Sequence, residues 1–143
     1  MATHSFDPKD VIITVGGFPI GGFADGEFFS FERNNDAYAM TVGADGDTTR
    51  VKSNDRSGAC TLTLDQTSNS NAVLSGFATA DELSNSGIVP VLVKEINGTT
   101  TLFSGNGWVQ KLPVVSYGKE TTTRVWIIAM AETQVFVGGN AAV

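Results

Sequence analysis

One histidine and one cysteine are all that the 143 residues offer toward nucleophilic, redox or soft-metal chemistry. A Ser-His-Asp triad, a Cys-His pair or a histidine-rich metal site needs more parts than that. His4 lies in the polar start MATHSFDPKD, where chain termini fray. Cys60 cannot form an intrachain disulfide, which suits a reducing cytoplasm. It alternates with Leu62 and Leu64 and reads as a small core residue. No apolar stretch approaches the roughly 20 residues of a membrane helix. The start shows no basic segment followed by an apolar run, so neither a signal peptide nor membrane insertion is expected.

Charge is scarce too. Charged residues make up 17% of the chain, against about a quarter in ordinary soluble domains. Fifteen acids against nine bases give a net charge of −6, and residues 1–42 hold six of the acids with two of the bases. No basic face is visible, which excludes tight nucleic-acid binding. So low a charge density implies that much of the surface is covered by something other than water. An enzyme, a metal site and a cofactor are not expected.

What the chain does have is strand patterning. Val11, Ile13 and Val15 alternate up to the turn residues Gly16-Gly17. After the turn signal Asp25-Gly26, Glu27–Arg33 follows, and Asn34-Asn35-Asp36 separates it from Ala37–Val42. Those two runs read as one hairpin. Cys60, Leu62 and Leu64 mark a half-buried strand. Asn97-Gly98 marks a hairpin between Val89–Ile96 and Thr99–Phe103, and Gly105-Asn106-Gly107 marks a turn before Trp108–Val115. The most apolar run is 122–131, with Val125, Ile127 and Ala129 on one face and Trp126, Ile128 and Met130 on the other. A strand apolar on both faces lies between layers or against a neighbouring subunit, which makes Arg124, Trp126, Ile128 and Met130 candidate inter-subunit contacts. One helix is expected over 69–83, capped by Asn69 or Ser70, with Val73, Leu74 and Phe77 on a shared face.

Residues 43–58, GADGDTTRVKSNDRSG, differ from the rest. Three acids (Asp45, Asp47, Asp55), three bases (Arg50, Lys52, Arg56) and the lone aliphatic Val51 leave little to bury. The segment should project from the domain, with Thr48–Lys52 pairing within an extended hairpin, and loops of this length are usually functional or disordered. The fold class is therefore mainly β: a single domain over 1–143, a β-sandwich or barrel of roughly eight to ten strands, one flanking helix and a long projecting loop.

The remaining motifs are weak. Asp45-Gly46-Asp47 lacks the further ligands and closing Glu of a calcium loop. The glycine pairs 16–17 and 21–22 precede neither Gly-Lys-Ser/Thr nor a helix, so they are turns and not a phosphate cradle. Asn97-Gly98-Thr99 matches a glycosylation acceptor only formally.

Three stretches carry a resemblance. They are VGGFPIGGFADGEFFSFERNNDAY, VGADGDTTRVKSNDRSGACTLTLDQTSNSNAVLSGF and IVPVLVKEINGTTTLFSGNGWVQKLPVV, followed by Trp126 and a Gly-Gly-Asn tail. Together the chain resembles the tail tube proteins of contractile-tailed bacteriophages, over nearly its whole length. The resemblance implies β-sandwich or barrel subunits with one flanking helix, similar to the inner tubes of other contractile injection machines. These join as six-fold rings and stack into a tube through which DNA passes without tight binding. It also implies sheath and baseplate or terminator partners, and a place in the virion after assembly in the host cytoplasm. In such tubes the long loop links neighbouring rings, which makes Asp45, Asp47, Arg50, Lys52, Asp55 and Arg56 candidate inter-ring contacts. A tail terminator or head–tail adaptor of the same fold is the alternative. A β-sandwich glycan- or receptor-binding module is another, although clustered exposed aromatics are not evident.

Overall fold

The structure is a computed structural model and describes residues 1–140. Ten strands and one α-helix occupy them: β1 (Val11–Val15), β2 (Phe18–Pro19), β3 (Phe29–Arg33), β4 (Tyr38–Val42), β5 (Thr48–Lys52), β6 (Gly58–Asp65), α1 (Ser70–Ser84), β7 (Val89–Glu95), β8 (Thr101–Lys111), β9 (Thr123–Met130) and β10 (Gln134–Phe136). Eight strands form one antiparallel sheet in the order β2-β1-β7-β8-β9-β6-β3, with β10 branching from β8, while β4 and β5 pair only with each other. The mainly β class with a single helix agrees with the sequence reading, and the arrangement is that of a β-sandwich.

Strand β8 joins the two halves of the sandwich. Its first part, up to Ser104, pairs with β7 on one side and β10 on the other, and Gly107 to Lys111 pair with β9. The glycines at 105 and 107 predict a turn between two separate strands. In the structure these residues lie inside one strand, where the pairing with β7 shifts register. A Cβ on Gly107 would sit 2.7 Å from Val91 Cγ2, so the glycine is there for close approach to the neighbouring strand β7 and not for chain reversal.

Alternation decides what is inside. Every second residue of β6 and β9 is buried, and Cys60, Leu62, Leu64, Trp126, Ile128 and Met130 meet Ile13, Val15, Val91, Val93 and Leu102 in one core. Burial pushes the Cys60 thiol up to about 12, in keeping with an inert core residue. Helix α1 closes one side through Leu74. Its Asn71 accepts a 2.8 Å hydrogen bond from Trp126 Nε1 and donates to the carbonyl of Asp65.

The helix starts within a residue of expectation, but neither Asn69 nor Ser70 caps it by side chain. Ser68 Oγ accepts from the Ser70 amide, while Ser70 Oγ accepts from the Gly21 amide, a tertiary bond. Asn85, at φ 55°, ends the helix in the left-handed conformation.

The turn between β1 and β2 has positive φ at both Gly16 (61°) and Gly17 (84°), as a tight two-residue hairpin of the I′ kind demands. The two glycines differ in their surroundings. A Cβ on Gly17 meets nothing, whereas one on Gly16 falls 2.5 Å from Phe77 Cζ on α1. Gly17→Ala should therefore cost about 1–2 kcal/mol, the left-handed penalty alone. Gly16→Ala should cost about 1–3 kcal/mol more through overpacking. Urea unfolding of the two variants measures the difference, and equal losses would show that Phe77 does not bear on the turn.

Candidate functional site

Strands β4 and β5 form a hairpin whose ten strand residues are all exposed. Its tip, Gly43 to Asp47, closes with the Gly43 amide donating to the Asp47 carbonyl and Gly46 at φ 92°. Asp45 and Asp47 occupy this tip as turn residues, and no metal-binding cluster of His, Cys, Asp or Glu occurs among the described residues.

Directly paired residues share a face. Tyr38, Met40 and Val42 therefore stand beside Lys52, Arg50 and Thr48. The Arg50 guanidinium lies 4.3 Å from the Tyr38 ring centroid. This face combines two cations with three large apolar side chains, among them Met40, 69% exposed.

The projecting element thus spans 38–52 and not 43–58, and the expected hairpin between Glu27–Arg33 and Ala37–Val42 does not form. β3 pairs with β6 instead, because Phe29 and Phe31 pack on the core beside Leu62 and Cys60. Asn34 to Ala37 then lead out to the hairpin. The six charged candidates divide accordingly. Asp45, Asp47, Arg50 and Lys52 ride on the projection, while Asp55 and Arg56 lie at its root.

The root is firmly held. Arg33 donates from Nε to Thr133 Oγ1 (3.1 Å) and from Nη2 to the Thr133 carbonyl (2.9 Å). The amide and hydroxyl of the fully buried Thr133 both donate to the Arg56 carbonyl. Arg56 also reaches Glu132 at 3.7 Å. Asp55 accepts from the Ser57 hydroxyl and amide and from Asn35 Nδ2, and these bonds, led by the Ser57 hydroxyl, hold its carboxyl below the usual range. A rigid base therefore carries an arm with no support of its own.

The second set of candidates needs correcting. Trp126, Ile128 and Met130 are buried in the subunit's own core, so their side chains do not face a neighbour. When both faces of a strand are apolar, alternation alone does not say which turns inward, and here the bulkier set fills the core. Arg124 shares that face and is buried as well, but outside the apolar core, at the start of β9 against the segment after β8. The opposite face of β9 is the accessible one, with Val125 exposed and Ile127 and Ala129 half-buried. They lie in register with Thr63, Thr61 and Ala59 of β6. Strand β3 ends the sheet and leaves one edge unpaired. An open edge of this kind is a template for another chain.

Two exposed surfaces have only faint signals in the sequence. Tyr38, Met40 and Val42 alternate legibly, but the alternation does not name β5 as the partner strand. Leu112, Val114, Val115 and Tyr117, all exposed, belong to a segment after β8 that has no regular structure. Pro113 in the middle of an apolar run is its one sequence signal.

The model of the bacteriophage PhiTE tail tube protein family matches residues 1–138. A protein of Pseudomonas phage KPP10 described as structural protein ORF10 is 31% identical over 149 residues, covering 99% of this chain and 86% of the relative. Among solved structures, the sheath/tube terminator of the extracellular contractile injection system PVC superposes with a TM-score of 0.69 at 12% identity, over 96% of this chain and all of that one. The tube-terminating cap of the anti-feeding prophage gives 0.66 at 11%, over 99% and 95%. A chain of the PVC sheath–tube complex gives 0.54 at 14%, over 93% and 88%. At these identities the structural likenesses speak for the fold alone. The family match and the phage relative make this a structural protein of the phage tail, located in the virion, and not an enzyme. With the family model spanning all but its last five residues, the chain belongs to the bacteriophage PhiTE tail tube protein family.

Proposed function

We propose that the chain is the repeating subunit of the inner tail tube, closing into six-membered rings that stack into a channel for DNA. The observation that carries this reading is the β4–β5 hairpin. A lone two-stranded hairpin is at best marginally stable in water, and this one exposes every strand residue on a root that is rigidly fixed. Such an arm becomes ordered when it lies on a second molecule, and its basic, apolar face complements a chain of net charge −6. The arm of one ring reaches the next, with Arg50 and Lys52 meeting acids there, while the open edge of β3 and the accessible face of β9 serve contacts within a ring. DNA passes without tight binding because the excess of acids repels phosphate. A sheath surrounds the tube, as the sheath–tube neighbour's description supports.

A second reading has an observation of its own. Both terminators superpose better than the sheath–tube chain, which favours a ring that caps the tube. Light scattering over a concentration series, with negative-stain imaging of each fraction, separates the two. Long uniform tubes are the expected result, single rings indicate the terminator, and a monomer at high concentration in physiological salt overturns both.

A further inference from the structure

Arg124 is 6% exposed, yet all its hydrogen-bond acceptors are neutral. Its Nη1 donates to Thr122 Oγ1 (2.7 Å) and to the Thr123 carbonyl (3.1 Å), and its Nη2 to the Ser116 carbonyl (3.1 Å). The Tyr117 ring covers it with the centroid 5.2 Å from Cζ. Among the described residues no carboxylate lies within ion-pair distance of it. Buried charges are otherwise paired, because an uncompensated one loses its hydration without recovering it. The guanidinium lines a cleft of about 400 Å³, walled by Leu112, Val115 and Tyr117 on one side and by Gln66, Asn71 and Ser75 on the other. Around this cleft the segment after β8 exposes large apolar side chains, with Val114 at 76% and Tyr117 at 80%. A desolvated arginine flanked by an exposed tyrosine and exposed aliphatic side chains matches the usual composition of an interface hot spot.

We infer that this cleft receives a carboxylate-bearing segment of a second copy of the chain, whose Asp or Glu pairs with Arg124. The inference deepens the tube reading and rests on it. Charge complementarity identifies the occupant. The chain carries six more acids than bases, and residues 1–42 alone hold four more, so a neighbouring subunit presents carboxylates in excess. Among the described residues Arg124 is a buried cation that its own subunit leaves without one. The apolar rim excludes water from the pair and makes the contact specific for a segment with an apolar residue beside its acid.

Arg124→Lys places an amine in the cleft that a water-soluble carbodiimide can join to an adjacent carboxylate. Assemblies grown from mixed ¹⁵N-labelled and unlabelled Arg124→Lys subunits should yield, by mass spectrometry, an amide between the introduced amine of one chain and an Asp or Glu of another. An introduced amine left free or joined only within its own chain, while native lysines cross-link between subunits, overturns the inference. Should Arg124→Lys not fold, the double variant Val115→Ser, Tyr117→Ser decides, since both side chains are exposed. It should stay folded, lowering the melting temperature by only a few degrees through the lost Tyr117 contact with Arg124, and raise the concentration needed for assembly about tenfold or more, the loss expected of a hot-spot truncation. An unchanged threshold overturns the inference. Wild-type protein that never assembles refutes the tube reading instead, so the two failures are distinguishable.

Discussion

Replacing Met40–Arg50 by a short Gly-Ser turn should abolish tube growth and leave a folded subunit. The replaced stretch lies wholly within the arm, whose strand residues are all exposed, so no core contact is lost. The root bonds from Arg33, Thr133 and Arg56 survive the change. The unfolding free energy should therefore stay within about 0.5 kcal/mol of wild type, as for surface changes elsewhere. Tubes should disappear from negative-stain fields at concentrations well above the wild-type threshold. Normal tubes from this variant would remove the arm from assembly, and an unfolded variant would mean that the hairpin belongs to the core. A milder pair, Arg50→Glu with Lys52→Glu, isolates the electrostatic part. It should weaken assembly most at low salt, where exposed charges are least screened.

Trp126→Ala should be among the most destabilising single substitutions in the subunit, at about 3–5 kcal/mol. For a chain of this length that lowers the melting temperature by roughly 10–20 °C. Two losses combine: the indole is 1% exposed within the core, and its N–H holds Asn71 at the start of α1. Trp126→Phe keeps most of the volume and orphans Asn71 Oδ1, for about 1–3 kcal/mol. The measurement belongs in dilute solution, before any assembly. A side chain that served only a neighbour would leave dilute stability unchanged, so an undisturbed melting curve would restore the inter-subunit role that burial now denies it.

Much of the fold is legible in the sequence because period-2 alternation reports burial directly. Cys60, Leu62 and Leu64 lie inward as their spacing alone predicts, and the Asn97-Gly98 hairpin forms where its turn residues put it. What alternation does not carry is partner identity. The pairing of β3 with β6 spans roughly thirty residues and is set by Phe29 and Phe31 seeking the core, which no local signal records. Glycine misleads at 105–107 for a related reason, since a missing side chain serves a turn and a close crossing equally well. At the candidate site, the charges of residues 43–58 mark the projecting region, but the apolar half of the arm reads equally well as the second strand of a hairpin with β3. Arg124 stands out in the sequence through its strand and not through its burial, which only tertiary packing reveals.

The position of β9 has a consequence for how the protein is made. It lies between β8 and β6 in space but near the end of the chain in sequence. On the ribosome, β3 and β6 can pair early, but the other edge of β6 waits for β9 while α1, β7 and β8 are translated. Pairings this distant are slow to form, since loop closure precedes any reward. The arm is different: β4 and β5 are adjacent in the chain, joined only by the short tip from Gly43 to Asp47, and can close locally within about 1–10 μs. An arm that formed before its base would invite contacts with other nascent chains. Thr133, which fixes the root to Arg33 and Arg56, is translated after β9, so the arm acquires its fixed direction only once the last central strand has been made. Synthesis order thereby withholds a fixed direction from the arm until β9 is complete.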